Sequence, residues 1–172
     1  DSPRKALLTA VKEAVDNSLD ACEEARIQPD IRVKIVRIGT SEKQFTMTVE
    51  DNGPGIVATQ VGNVFGRLLY GSKFHRLRQS RGQQGIGISA AGMYGLLTTG
   101  QPVIVRSKAG KRAVPLEFEI KIDTGKNRPD AKDRVIEWEK DHGTLVSITM
   151  EGEYRRGQRS VEEFLKLMAV AN

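Results

Sequence analysis

Glu13, Asp16, Asn17 and Asp20 place three carboxylates and an amide within eight residues of a segment that also carries Val11, Val15, Leu19 and Cys22. At roughly 100° per residue, Glu13, Asn17 and Asp20 fall on one helical face with Asp16 at its edge, and the apolar set falls on the other. A surface helix usually intersperses acids with Lys or Arg to gain i,i+4 pairs. Between Lys12 and Arg26 this helix carries acids only. Such a face is either simply solvated, or it aims a carboxylate base and an amide oxygen at a metal-bound substrate. The helix alone leaves both open.

Two glycine clusters lie downstream. Asp51-Asn52-Gly53-Pro54-Gly55 follows a predicted strand; these are turn formers for local backbone reasons. A carboxylate beside two glycines also suits a purine, because Asp accepts from an exocyclic amine and glycine lets a flat base approach backbone. The second cluster, Gly82-x-x-Gly85-x-Gly87, opens a predicted helix. Bare backbone N–H groups at a helix start attract phosphate, although a flexible linker has the same composition. It lacks the Gly-Lys-Ser/Thr of a Walker loop, and it follows a basic loop instead of the strand that a dinucleotide fingerprint requires.

The elements that must position these groups follow from periodicity. Apolar spacing predicts a helix from Pro3 to Ala25, with Asp1-Ser2-Pro3 as its cap and Ile27–Asp30 as the turn after it. Strands are expected over Ile31–Ile38 and Phe45–Val49, joined by a Gly39–Lys43 turn. Helical spacing recurs over Thr59–Tyr70, a polar basic loop spans Gly71–Gln84, and a small-residue helix covers Ile88–Leu97. Val103–Arg106, Ala113–Ile122, Val135–Glu139 and Thr144–Met150 read as strands. Thr124–Arg134 is expected to be a long loop, and Ser160–Val170 an amphipathic helix. Helices segregated from clustered strands argue for an α+β fold, a two-layer α/β sandwich with helices on one face of a mixed, mainly antiparallel sheet. A doubly wound parallel sheet would alternate strand and helix throughout, so it is disfavoured.

The 172 residues suffice for one domain with a real core. No apolar run approaches the ~20 residues of a membrane span. A single cysteine, Cys22, excludes an internal disulfide and suits a reducing, cytoplasmic setting. His75 and His142, far apart and without cysteine partners, do not make a zinc site. A net charge of +5 mildly favours a polyanionic partner, and the densest basic run holds Lys73, Arg76, Arg78 and Arg81.

Taken in order, the Glu13-x-x-x-Asn17 helix, the strand ending in Asp51-x-Gly53-x-Gly55, the Gly82–Gly87 cluster and a late Gly143-Thr144 before a strand resemble the GHKL ATPase superfamily and its Bergerat fold. Glu13–Ala21, Phe65–Lys73 and Arg81–Gly87 together are most similar to the B-subunit family of topoisomerase VI, the type IIB DNA topoisomerases. The resemblance implies ATP and Mg2+ as ligands and ATP hydrolysis as activity. Glu13 would be the general base, Asn17 a magnesium ligand, and Asp51 the acceptor for the adenine amine, with Gly53 and Gly55 beside it and Thr144 supporting through water. Ser72 and Lys73 would contact nucleotide. Gly82, Gln83, Gln84, Gly85, Ile86, Gly87, Ile88 and Ser89 would form the lid and helix start around the phosphates. Implied partners are DNA, a topoisomerase VI A subunit and, on ATP binding, a second copy of the B subunit.

Two departures from the family pattern stand out: Ser89 replaces a common lid lysine, and no downstream transducer lysine follows. Residues 1–172 are therefore expected to be a single ATP-binding domain, a fragment without N-terminal strap or transducer, slow to hydrolyse ATP. Alternatives are a chaperone or mismatch-repair type GHKL ATPase, or a non-catalytic basic nucleic-acid-binding module using the Lys73–Arg81 run with Arg155, Arg156 and Arg159.

Overall fold

The computed structural model describes residues 3–40, 42–61, 86–123, 128–153, 165, 166 and 168. Helix α1 spans Pro3–Glu24. Strands β1 (Ile31–Arg37) and β2 (Gln44–Asp51) form a hairpin, and α2 covers Ile86–Thr99. Four strands follow: β3 (Val103–Lys108), β4 (Leu116–Asp123), β5 (Arg128–Val135) and β6 (Gly143–Glu151). The sheet runs β1-β2-β6-β3-β4-β5, and every described pairing is antiparallel. The parallel component of a mixed sheet is not found among these residues. The two-layer α+β arrangement is as expected.

Alternation along the strands decides which face is covered. Phe45, Met47 and Val49 of β2, Val103 and Val105 of β3, Phe118 and Ile120 of β4, and Ile148 and Met150 of β6 are buried. They meet Leu7, Ala10, Val11, Ala14 and Val15 of α1 in one core. The opposite face is polar: Thr46 bonds Thr149 at 2.9 Å and Thr48 donates to Ser147 at 3.2 Å. That is the usual arrangement of an antiparallel sheet with one wet side. Helix α2 packs on β6 and α1, and its small residues set the distance. A Cβ at Gly95 would lie 2.5 Å from the Thr149 carbonyl oxygen, so any larger residue there forces the layers apart.

Helix α1 stops in a Schellman turn. Ile27 N–H donates to the Cys22 carbonyl at 2.8 Å and Arg26 N–H to Glu23 at 3.1 Å, with Arg26 at φ 56°. A glycine normally takes that left-handed position.

Two expectations are corrected. The segment Thr124–Arg134 is not a long loop: from Arg128 it is strand β5, paired to β4 along its length. Val135 ends that strand instead of beginning one, and 136–142 is irregular. The reason is that β5 is an edge strand. Arg-Pro-Asp-Ala-Lys-Asp-Arg-Val has no apolar alternation because residues 131–135 are all exposed, and proline and charge are tolerated only at such edges. The Asp1-Ser2 cap, the Thr59–Tyr70 helix beyond residue 61, the basic loop through Gly85 and most of the Ser160–Val170 helix lie outside the described residues.

Candidate functional site

The site sits where α1 crosses the end of β2. On α1, Ala10, Val11, Ala14, Val15, Ser18 and Cys22 face the core, Glu13, Asn17 and Asp20 are half-buried, and Asp16 is exposed. The acidic face is therefore turned into a partly enclosed surface. Burial, and secondarily the Asp16 carboxylate, push the Glu13 carboxyl above its usual 4.5. A carboxylate with a raised pKa binds a proton more readily, which is the property a general base needs.

Asp51, the last residue of β2, is 5% exposed. Its Oδ1 accepts the Gly53 N–H at 2.9 Å and the Thr144 N–H at 3.1 Å. Its Oδ2 accepts the Ser18 hydroxyl at 2.7 Å. Oδ1 thus has two donors and Oδ2 one, so one lone pair of Oδ2 is left among the described partners. The Gly53 bond is an Asx-type turn, in which the Asp side chain fixes its own backbone two residues on.

The rest of the turn is held from three sides. Asn52 accepts from the Asp30 N–H at 2.8 Å and donates to the Gln28 carbonyl at 3.0 Å, tying the turn to the end of α1. Ser107, on β3, donates to the Ile56 carbonyl at 2.6 Å and accepts the Ile56 N–H at 2.7 Å. Between them Gly55 adopts φ +76°, and a Cβ there would lie 2.1 Å from the Lys108 carbonyl oxygen. No other residue fits. From the β5–β6 loop, Lys140 Nζ donates to the Asp51 carbonyl at 2.8 Å and His142 Nδ1 meets the Gly53 carbonyl at 2.7 Å.

Of the residues singled out from sequence, Glu13 and Asn17 share the half-buried face of α1. Asp51, Gly53 and Gly55 form one turn that meets Thr144 at the start of β6, and Ser18 of α1 bonds to it through Asp51. Ile86, Gly87, Ile88 and Ser89 begin α2. Ser72, Lys73, Gly82, Gln83, Gln84 and Gly85 lie outside the described residues. Thr144 reaches Asp51 directly through its backbone N–H.

Sequence reasoning missed Ser18, Ser107, Lys140 and His142. The two serines had a signal: each falls on the buried face of an otherwise apolar pattern, where a hydroxyl must find a partner. The other two had none, being polar residues in a loop that composition cannot tell from a solvated one.

Asn17 offers one amide oxygen, and among the described residues no three His, Cys, Asp or Glu side chains gather into a metal site of their own. An amide oxygen is a hard ligand of the kind a magnesium ion takes beside phosphate oxygens and water.

Residues 3–126 match the family of histidine kinase-, DNA gyrase B-, and HSP90-like ATPases. The chain is 52% identical over 174 aligned residues to the B subunit of the type 2 DNA topoisomerase 6 of Methanococcoides burtonii, covering all of this chain and 28% of that protein. Proteins of the same name from Natronomonas pharaonis and Archaeoglobus fulgidus are 50% and 49% identical, over 100% and 99% of this chain and 21% and 28% of theirs. The chain thus spans about a quarter of the length of these curated relatives.

Proposed function

The chain belongs to the family of histidine kinase-, DNA gyrase B-, and HSP90-like ATPases, and we propose that it is the ATP-binding and ATP-hydrolysing domain of a type IIB topoisomerase B-type subunit. The observation that carries the nucleotide reading is the Asp51 carboxylate, buried, tied to Ser18, Gly53 and Thr144, with one lone pair of Oδ2 left for a ligand donor. An adenine amine is such a donor. Gly53 and Gly55 shape the turn that presents this carboxylate to the base, Gly53 through its N–H bond to Oδ1 and Gly55 through its close approach to Lys108.

Glu13 accepts a proton from the attacking water, aided by its raised pKa. Asn17, one turn along the same face, would hold Mg2+ through its amide oxygen, and the ion would supply neutralisation of phosphate charge, the main requirement of phosphoryl transfer. Phosphate contacts are assigned to Ser72, Lys73 and Gly82–Ser89 from the sequence motif; its described part, Ile86–Ser89, opens α2, and a helix start favours phosphate. Thr144 supports the base beside its bond to Asp51.

For the longer protein we propose the DNA topoisomerase activity that its relatives' name carries, exercised as an ATP-gated clamp on DNA that acts with an A subunit and closes by association of two B subunits when ATP binds. Residues 1–172 then form one nucleotide-binding domain of that protein, with strap and transducer contributed by other parts of the chain.

The test is Glu13→Ala. Turnover of ATP should be abolished while binding of a non-hydrolysable ATP analogue stays within a few-fold of the unaltered chain. Parallel loss of both would remove Glu13 from the role of base.

A further inference from the structure

The β5–β6 loop makes contacts with the Asp51 turn that share one polarity. The loop presents two donors, Lys140 Nζ to the Asp51 carbonyl at 2.8 Å and His142 Nδ1 to the Gly53 carbonyl at 2.7 Å, and Thr144 at the start of β6 adds its N–H to Asp51 Oδ1 at 3.1 Å. A carbonyl oxygen can only accept, so His142 carries its proton on Nδ1.

The approach is as close as backbone allows. Gly143 has φ +153°, and a Cβ there would sit 2.2 Å from the Asp51 carbonyl oxygen. Lys140 is not a solvated surface lysine. Its side chain is 23% exposed, pairs with Glu50 at 3.4 Å and lies 5.7 Å from the centre of the Trp138 ring. Its own carbonyl accepts Lys108 Nζ at 2.7 Å. Every end of the loop is therefore fixed before it touches the turn.

We propose that Lys140 and His142 are positioning residues that aim the Asp51 carboxylate, and that they thereby set the preference for adenine over a 6-oxo purine. The proposal rests on the reading of Asp51 as the acceptor for the adenine amine. Neither residue touches Oδ2; Lys140 holds the peptide unit that follows Asp51 and His142 the one that follows Gly53, so both fix the turn on the C-terminal side of the carboxylate. Hydrogen bonds weaken steeply with misalignment, so releasing one peptide unit degrades the amine contact first. Contacts of the base with backbone and of the phosphates with α2 are less affected.

The experiment compares ATP with ITP, which carries an oxygen where ATP carries the amine, by calorimetric displacement on the 172-residue chain with Mg2+. Lys140→Met and His142→Ala are each expected to weaken ATP three- to tenfold, roughly the worth of one hydrogen bond, and ITP less than twofold. His142→Asn, whose amide N–H can stand in for Nδ1–H, should restore most of the ATP preference. Thermal melts report whether each variant is folded, and His142→Asn keeps the comparison open where a truncation is not. Equal losses for both nucleotides would overturn the proposal, leaving the loop only a brace between strands. So would an unchanged preference in both truncations. Asp51→Asn separates the premise from the inference: if it lowers the ATP preference while the loop variants do not, only the inference fails. If Asp51→Asn leaves the preference intact, the reading of Asp51 fails and the inference with it.

Discussion

Asp51→Asn exchanges one oxygen for an NH2 group without changing shape, and the surroundings of that atom set the outcome. Oδ1 keeps its two donors, the backbone N–H groups of Gly53 and Thr144. The Ser18 hydroxyl can rotate to accept from the new NH2 instead of donating to Oδ2. What the fold loses is charge assistance to three hydrogen bonds, about 1–2 kcal/mol, or a drop in Tm of roughly 3–8 °C for a chain of this size. The nucleotide loses more. Its amine, which would meet an acceptor, meets a donor. A charge-assisted hydrogen bond of about 1.5–3 kcal/mol disappears and a desolvated donor is left unpaired, costing about 1–3 kcal/mol more. A combined loss of about 2.5–6 kcal/mol corresponds to roughly 10²- to 10⁴-fold weaker ATP binding. Calorimetry with a non-hydrolysable ATP analogue, alongside thermal melting, reads both quantities. A variant that melts within the stated range yet binds ATP within threefold of the unaltered chain would refute the reasoning.

Other consequences are independent of that one. Because burial and Asp16 raise the Glu13 carboxyl, and the base works only when deprotonated, the acid limb of the hydrolysis rate should lie above pH 4.5. Asp16→Asn removes the second of these causes and should move the limb to lower pH in a pH–rate profile. Glu117, 6% exposed, is raised by burial but more than compensated by hydrogen bonds and charge from Arg106 at 2.9 Å and Arg134 at 2.7 Å, so its carboxyl lies below the usual 4.5. A depressed folded pKa adds stability that is complete above the unfolded value and fades as pH falls through the folded one. Glu117→Gln should therefore cost about 1–2 kcal/mol in denaturant melts at pH 7, with the difference shrinking below pH 4. Arg26→Gly should raise stability by about 0.5–1 kcal/mol, since it relieves a non-glycine residue at φ 56° in the turn ending α1; a loss of stability in the same melts would contradict the capping role.

How much of this was legible in the residues depended on whether burial imposed a pattern. The stripe Val11, Val15, Cys22 and the alternation Phe45, Met47, Val49 each reported one buried face, and the elements followed. The acidic helix face and the Asp51 turn stood out because their residue types conflict with their setting: a run of acids with no interspersed bases, and a carboxylate among glycines. Strand β5 was illegible because an edge strand exposed on both sides has no reason to alternate. The loop carrying Lys140 and His142 was illegible for another reason. Its contacts are made to main-chain carbonyls, and a carbonyl has no signature in the sequence.

The direct test of the central claim, that this chain binds a magnesium nucleotide in the Glu13–Asn17–Asp51 site, is a calorimetric titration of a non-hydrolysable ATP analogue with and without Mg2+. The expected result is saturable one-to-one binding that tightens when magnesium is present and loses that gain in Asn17→Ala. Absence of binding under both conditions, or binding indifferent to magnesium and to Asn17, would contradict it.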